Sequence, residues 1–587
     1  MAPKSQFVRA ERLATVQERG CLAVQLEGRV VALFAHQDQI YAIDNRCPHM
    51  GFPLHQGTVK DGILTCHWHH ARFDLDSGGT FDQWADDARA FPVEIRDGEV
   101  WVDVSPQRDA RQHQRQRLQV GLERDLPLVL GKAVLVLADQ DVEPFRAGLQ
   151  FGTRYRRGGW GQGLTILTCM QNLLPYLRPA DRSRALYQGL AAVSDETFGA
   201  APRFQVRPLP DENTDLATLQ RWFRQFIEVR DNEGAERCIV SAVRAGANQH
   251  QMASMLFAAI TDHRYVDVGH PLDFTNKAFE ALDAVGWEHA EQVLTSLVRA
   301  YANGRRMEES NAWRHPLDLI ALLEEAFGRL PEALAQGQQA GADSGWPDRE
   351  TLATVLLGDD PQASVEALLE ALSAGCPPVE LAGRVSYAAA LRIARFHTSN
   401  EFNDWDTALH TFTFANAVEQ GLRRAPTPEL LRGVFDAAIS VYLDRFLNIP
   451  AARLPDDGEQ KLEPQKVLEA LPQLLDRQQQ VNQAGVQVAA YLYGGGPSAD
   501  LLATLGHLLL REDRDFHTIQ AVEAAFRQYQ LLTTGASDQA GDSRCAVHVL
   551  VAAARYLAAH APTVRSQGQT FEIARRLHQG ERIYEGD

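Results

Sequence analysis

One short pattern constrains this chain more than anything else in it: Cys47-Pro48-His49, a spacer of sixteen residues, then Cys66-His67-Trp68-His69. Two thiols and two imidazoles so spaced form a single ligand set only if each pair sits on its own tight loop and the intervening strands bring the loops together. The flanking sequence reads as such strands. Short β-rich runs at residues 21–26, 30–35, 39–43, 93–95 and 100–104 are separated by turns at Glu27-Gly28, Gln37-Asp38, Asp61-Gly62 and Asp97-Gly98. This part of the chain is expected to be all-β.

The donor types narrow the chemistry. Two thiolates and two neutral imidazoles suit a [2Fe-2S] cluster with two Cys on one iron and two His on the other, each loop giving one ligand to each iron. Zinc is the competing reading, but its pairs usually come as C-x-x-C or H-x(3 to 5)-H rather than C-x-H with C-x-x-H. The stretch resembles the Rieske ferredoxin family, and the likeness extends past the ligands. It takes in Ile43-Asp44-Asn45, Gly51-Phe52-Pro53-Leu54, Gly57, Gly62, Leu64, Phe73-Asp74, Gly78-Gly79 and Phe91-Pro92-Val93-Glu94-Ile95. The resemblance implies a Rieske [2Fe-2S] domain over residues 1–104 with Cys47, His49, Cys66 and His69 as ligands.

Departures from the family pattern bear on potential. Rieske proteins of respiratory chains carry one further cysteine in each loop and join the two by a disulfide; Phe52 and Trp68 stand at those positions here. The same proteins place a serine and a tyrosine where their hydroxyls bond cluster sulfur, and here the residues are Ala71 and Phe73. Hydrogen bonds to sulfur stabilise the more negative reduced cluster, so their loss implies a low, ferredoxin-like potential. His67 and His70 replace a proline and a glycine common in the second loop.

Bulk properties exclude several classes. At 587 residues the chain is too long for one hydrophobic core, and its net charge of -18 argues against nucleic acid as a partner. Neither a signal peptide nor an apolar run long enough to span a membrane is found, so a cytoplasmic protein is expected. Seven cysteines without regular spacing do not make a disulfide framework; Cys21, Cys169, Cys238, Cys376 and Cys545 read as buried small side chains.

Residues 105–125 open on Ser-Pro-Gln-Arg-Asp-Ala-Arg-Gln-His-Gln-Arg-Gln-Arg, poor in apolar side chains, and read as an exposed linker. Residues 126–587 read as a large all-α region, with a possible boundary between two subdomains near residues 337–347 and a weaker one near 454–463. Residues 133–137 fit a buried strand or a helix equally well.

No D-x-x-H-x-x-x-x-H pattern of ring-hydroxylating oxygenases and no G-x-G-x-x-G turn of a flavin or nicotinamide domain is present. Instead histidines gather in three polar islands, around His263 and His270, around His397 and His410, and from His507 to His517. Asp406 and His410 stand one helical turn apart, as do Asp513 and His517. Burying several imidazoles among carboxylates is costly unless they bind metal or one another. The expected second site is therefore a metal, most simply non-haem iron, held by some of His263, His270, His397, His410 and His517 with a carboxylate such as Glu401 or Asp515. Helix caps and satisfied core histidines are the plain alternative. The His270-Pro271-Leu272 run and the spread of histidines resemble the questin oxidase-like proteins, helical oxidases of polyketide rings, which points to oxidative chemistry and carries no residue over.

Together these observations describe an oxidoreductase: a Rieske cluster, reduced by an NAD(P)H-dependent reductase or a ferredoxin, feeding a metal site that oxidises a small organic substrate. Two rivals stay open. One is a non-catalytic electron carrier or redox sensor with a helical docking domain, and the other has a noncovalent haem in the helical region.

Overall fold

Four two-residue hairpins organise the amino-terminal part of the chain. In the computed structural model both residues of Glu27-Gly28, Gln37-Asp38, Asp61-Gly62 and Asp97-Gly98 have positive φ, the conformation whose twist matches that of the flanking strands. The structure describes residues 6–105, 110–138, 142–204, 206–210, 214–340, 346–456, 463–534, 540–581 and 583.

The hairpins join seven of the ten antiparallel strands: β1 (Phe7–Arg12), β2 (Cys21–Leu26), β3 (Arg29–His36), β4 (Gln39–Asp44), β5 (Thr58–Lys60), β6 (Ile63–Thr65), β7 (Arg72–Asp74), β8 (Ala90–Phe91), β9 (Val93–Arg96) and β10 (Glu99–Asp103). They form three sheets, ordered β1-β10-β9, β2-β3-β4-β8 and β5-β6-β7. One apolar core, with Val31, Leu33, Val100 and Val102, fills the space beneath the larger sheets. A second, with Ala32, Phe34, Ile43, Leu54, Leu64 and Phe73, surrounds Cys47 and Cys66. The β5-β6-β7 sheet thus presents its one long loop, residues 66–71, beside the loop that follows β4.

The chain divides into two compact units, Met1–Pro144 with Gln567–Asp587, and Phe145–Ser566. Unit one therefore holds more than the β domain, and the expected linker is a correction. Residues 106–109 lie outside the described residues, but Ala110–Arg124 is a helix packed on a second, Pro127–Leu137. Leu118 and Leu122 are buried there. The arginines that suggested a solvated segment have partners: Arg117 donates to the carbonyls of Gln83 and Ala85 and pairs with Asp86 at 3.0 Å, and Arg111 pairs with Glu143 at 2.8 Å. Composition alone could not show that these cations are paired, Arg117 with groups on the β domain and Arg111 with Glu143. The ambiguous run 133–137 is helical, and the helix Ser566–His578 near the end of the chain lies almost wholly in unit one.

Unit two is all-α. Several of its helices begin on polar caps: Asp215, Asp231, Asp348, Asp360 and Thr427 each accept from a backbone N–H of the first turn, and Asn248 makes a capping box with Gln251. Gly421 lies inside Phe402–Arg424, where a Cβ would come within 2.9 Å of Leu430 and 3.0 Å of Phe257. The helix Leu319–Ala340 covers the start of the expected boundary at 337–347, of which 341–345 lie outside the described residues. Unit two is not divided there; the weaker boundary near 454–463 falls mostly on residues 457–462, also outside them. Among the described residues no helix is long and apolar enough to cross a membrane.

Candidate metal centres

The two loops of unit one close in the same way. Cys47 N donates to Phe52 O at 2.8 Å and Gly51 N to Cys47 O at 2.8 Å; Cys66 N donates to Ala71 O at 2.9 Å and His70 N to Cys66 O at 3.0 Å. The fourth residue after each cysteine is left-handed, Gly51 at φ 84° and His70 at φ 61°. Glycine adopts this conformation freely, whereas a residue with a Cβ pays about 1–2 kcal/mol.

Both cysteines are buried in the second apolar core, while His49 is half-buried and His69 is exposed. The thiols of Cys47 and Cys66 are hydrogen-bonded to each other; that bond and burial raise the pKa of Cys47, and the same bond holds Cys66 down at about 6. On the outer side the rings of His49 and His69 meet edge to face at 4.9 Å, with Trp84 at 4.7 Å from His49 and Trp68 at 4.4 Å from His69. Burial, then the neighbouring His69 and Lys132, push His49 down to about 4, so its ring is neutral. His49 Nδ1 is buried without a hydrogen-bond partner, which a metal would satisfy. A single zinc would draw all four ligand atoms to roughly 3.3–3.8 Å from one another. Among the described residues the groups of three or more candidate ligands within 4.8 Å are elsewhere; these four side chains fall into a thiol pair and an imidazole pair. That arrangement fits a two-iron cluster and not one ion.

In unit two His270, His410 and His517 come together from three helices, His270–Val285, Phe402–Arg424 and Phe516–Thr534, with one ligand atom of each within 4.8 Å of the others. His410 Nε2 and His517 Nε2 are 3.0 Å apart, and the His270 ring lies 4.7 Å from His410 and 5.7 Å from His517. Burial and then the neighbouring imidazoles lower His270 to about 4 and His410 to about 2, so both rings stay neutral and available as ligands. The backbone before His270 is unusual: Tyr265, Asp267 and Val268 all have positive φ, and Gly269, at φ 92°, would bring a Cβ within 2.8 Å of Phe414. Such conformations cost about 1–3 kcal/mol each and cluster at functional sites.

Behind the imidazoles stands a carboxylate. Asp406, one turn before His410, has Oδ2 at 3.8 Å from His517 Nδ1 and accepts from the Tyr556 hydroxyl at 2.7 Å; His560 Nε2 is 3.8 Å from the same carboxylate. Sequence reasoning noted the Asp406–His410 spacing but missed Tyr556 and His560, whose four-residue separation was the signal.

The remaining candidates are placed elsewhere. His263 sits between Glu308 at 2.7 Å and Glu228 at 3.1 Å, and His397 Nδ1 bonds the Ser399 hydroxyl at 2.6 Å. Glu401 caps its helix in a box with Asp404, and Asp515 accepts from Thr518 N at 2.7 Å; both carboxylates serve helix starts. The second group of candidate ligands, Asp86, Asp87 and His113, is crossed by Arg117 at 3.0 Å from Asp86 and reads as an ion-pair network.

Residues 6–92 match the family described as the Rieske [2Fe-2S] domain. The ferredoxin component of the naphthalene 1,2-dioxygenase system of Pseudomonas putida is 29% identical over 101 residues, 17% of this chain and 97% of its own length. The 3-phenylpropionate/cinnamic acid dioxygenase ferredoxin subunit of Photorhabdus laumondii is 31% identical over 77 residues, 13% of this chain and 73% of its own. Among solved structures, the ferredoxin of carbazole 1,9a-dioxygenase from Nocardioides aromaticivorans aligns over 17% of this chain and 100% of its own, at 26% identity and a TM-score of 0.17.

Proposed function

Since the chain belongs, through residues 6–92, to the Rieske [2Fe-2S] family, we propose that it is an oxidoreductase with two metal centres. Cys47, His49, Cys66 and His69 hold the cluster, and His270, His410 and His517 hold a second metal, iron, at which a small organic substrate is oxidised. Bound groups of these kinds supply one-electron transfer and oxidative chemistry respectively. The rest is the work of the chain. Buried cysteines and outward histidines leave the imidazole side of the cluster as the face for exchange with an electron donor, an NAD(P)H-dependent reductase or another ferredoxin. Asp406 stands behind the His517 ring at ion-pairing distance, 3.8 Å, on the side from which carboxylates support metal-bound histidines.

The observation that carries this reading is the convergence of three imidazoles from residues 107 or more apart in sequence, two of them held neutral by burial. Imidazole alone suits zinc, copper, nickel and iron; a redox metal is favoured because a one-electron carrier occupies the same chain. Rings 4.7 Å apart leave no room for a porphyrin between them, so a haem here would have a single axial histidine from this group, whereas an ion could use all three.

Metal analysis of the purified full chain tests the proposal: three irons with two acid-labile sulfides are expected, falling to two irons in His410→Gln. Two irons in the unaltered chain would favour the electron carrier or sensor, a reading supported by the ferredoxin relatives.

A further inference from the structure

The helix Pro127–Leu137 lies beyond the residues that match the Rieske family, yet it reaches the first cluster loop. Lys132, in its middle, donates from Nζ to the carbonyl of Pro48 and, at 3.1 Å, to that of His49. We propose that Lys132 is a positioning residue for the [2Fe-2S] cluster, clamping the Cys47–His49 loop and raising the reduction potential through its charge. The inference rests on the cluster half of the proposed function and is independent of the three histidines.

The surroundings leave that charge directed at the loop. Arg46 donates to the carbonyl of Glu581, and Asp86 is engaged by His113 at 2.9 Å and Arg117 at 3.0 Å. Among the described residues no carboxylate lies within ion-pairing distance of Lys132 itself, so its partners are the two loop carbonyls. Reduction adds an electron to the cluster, and a cation held nearby in a poorly solvated setting stabilises the more negative state. The second loop, with Ala71 and Phe73 where hydroxyl donors could stand, acts in the opposite sense. The two loops therefore pull the potential in opposite directions, and the upward pull comes from outside the β domain.

Anaerobic redox titration of the full chain, followed by the EPR signal of the reduced cluster, tests this with three variants. K132M and K132Q should titrate at lower potential than the unaltered chain, and K132R should stay close to it. Glutamine removes the charge and keeps an N–H donor, one atom nearer the backbone, so a wild-type potential in K132Q would overturn the electrostatic role; an unchanged potential in K132M would overturn the proposal outright. If K132M assembles no cluster, the comparison of K132Q with K132R decides in the same way. A wild-type chain with no Rieske signal at all would overturn the ligand assignment instead, a result distinct from either.

Discussion

The two proposed ligand sets are built on opposite principles. In unit one, four candidate ligands fall within 23 residues, Cys47 to His69, on two loops of identical hydrogen bonding. In unit two, three candidate ligands span residues 270 to 517 and sit on three helices that supply rigidity but impose no local spacing. A loop-borne site writes its geometry into consecutive residues; a helix-borne site writes it into packing. The first set tolerates divergence elsewhere in the chain, while the second depends on every helix that holds its three supports in register.

The largest effect expected breaks the first set alone. Cys66→Ser removes a thiolate from the buried pair and should abolish the cluster's visible absorption and EPR signal while leaving any metal at His270, His410 and His517 in place. Loss of both together would mean that the two sets are not independent.

Next in size is Asp406→Asn. It keeps the shape and weakens the acceptor behind His517, and second-sphere changes of this kind cost about 10- to 100-fold in metal affinity. Competition against a chelator measures this, and an unchanged affinity would place the carboxylate outside the metal's support.

A smaller effect sharpens the contrast through pH. Burial holds the rings of His270 and His410 down at about 4 and about 2, below the ordinary imidazole value of about 6.5. The unfolded chain therefore binds protons that the folded chain refuses as pH falls below about 6.5, and stability is lost on acidification, at up to about 1.4 kcal/mol per pH unit per ring. The loss from His270 levels off near pH 4 and that from His410 continues below it. Denaturant unfolding of the metal-free chain at pH 7, 5.5 and 4.5 should show this slope, and His410→Asn should flatten it by about one ring's share.

The smallest effect concerns the left-handed position of the second loop. His70→Gly should relieve the strain at φ 61° and stabilise the chain by up to about 1 kcal/mol, less the greater backbone entropy that glycine brings to the unfolded state. Calorimetry on the cluster-loaded chain reads this, and a clear destabilisation would show that the His70 side chain contributes more than its backbone costs.

These differences also explain what the sequence made legible. Five of the ten strands of the β domain could be read, because the turns at Glu27-Gly28 and Asp97-Gly98 are local statements, whereas the short strands β5 to β8, the strand β1 and the helix Leu13–Arg19 were not legible. The histidine islands could be read as chemistry but not as geometry. His263 and His270 are seven residues apart and look like partners, yet His263 is taken up by Glu308 and Glu228 while His270 meets rings from residues 410 and 517. The helix Ala110–Arg124 was hidden for a related reason: an arginine whose guanidinium binds Gln83 and Ala85 carbonyls looks the same in sequence as one in water.

The composition of unit one has a consequence for how the chain is made. Leu577 packs at Gly51, and Arg46 reaches the carbonyl of Glu581, so the loop that carries Cys47 and His49 is touched by residues synthesised after the 422 residues of Phe145–Ser566. At about 5–20 residues per second on the ribosome, that interval is roughly 20 to 85 s. The β domain can fold early, but through that interval its cluster loop stands without the contacts of Leu577 at Gly51 and of Arg46 with Glu581.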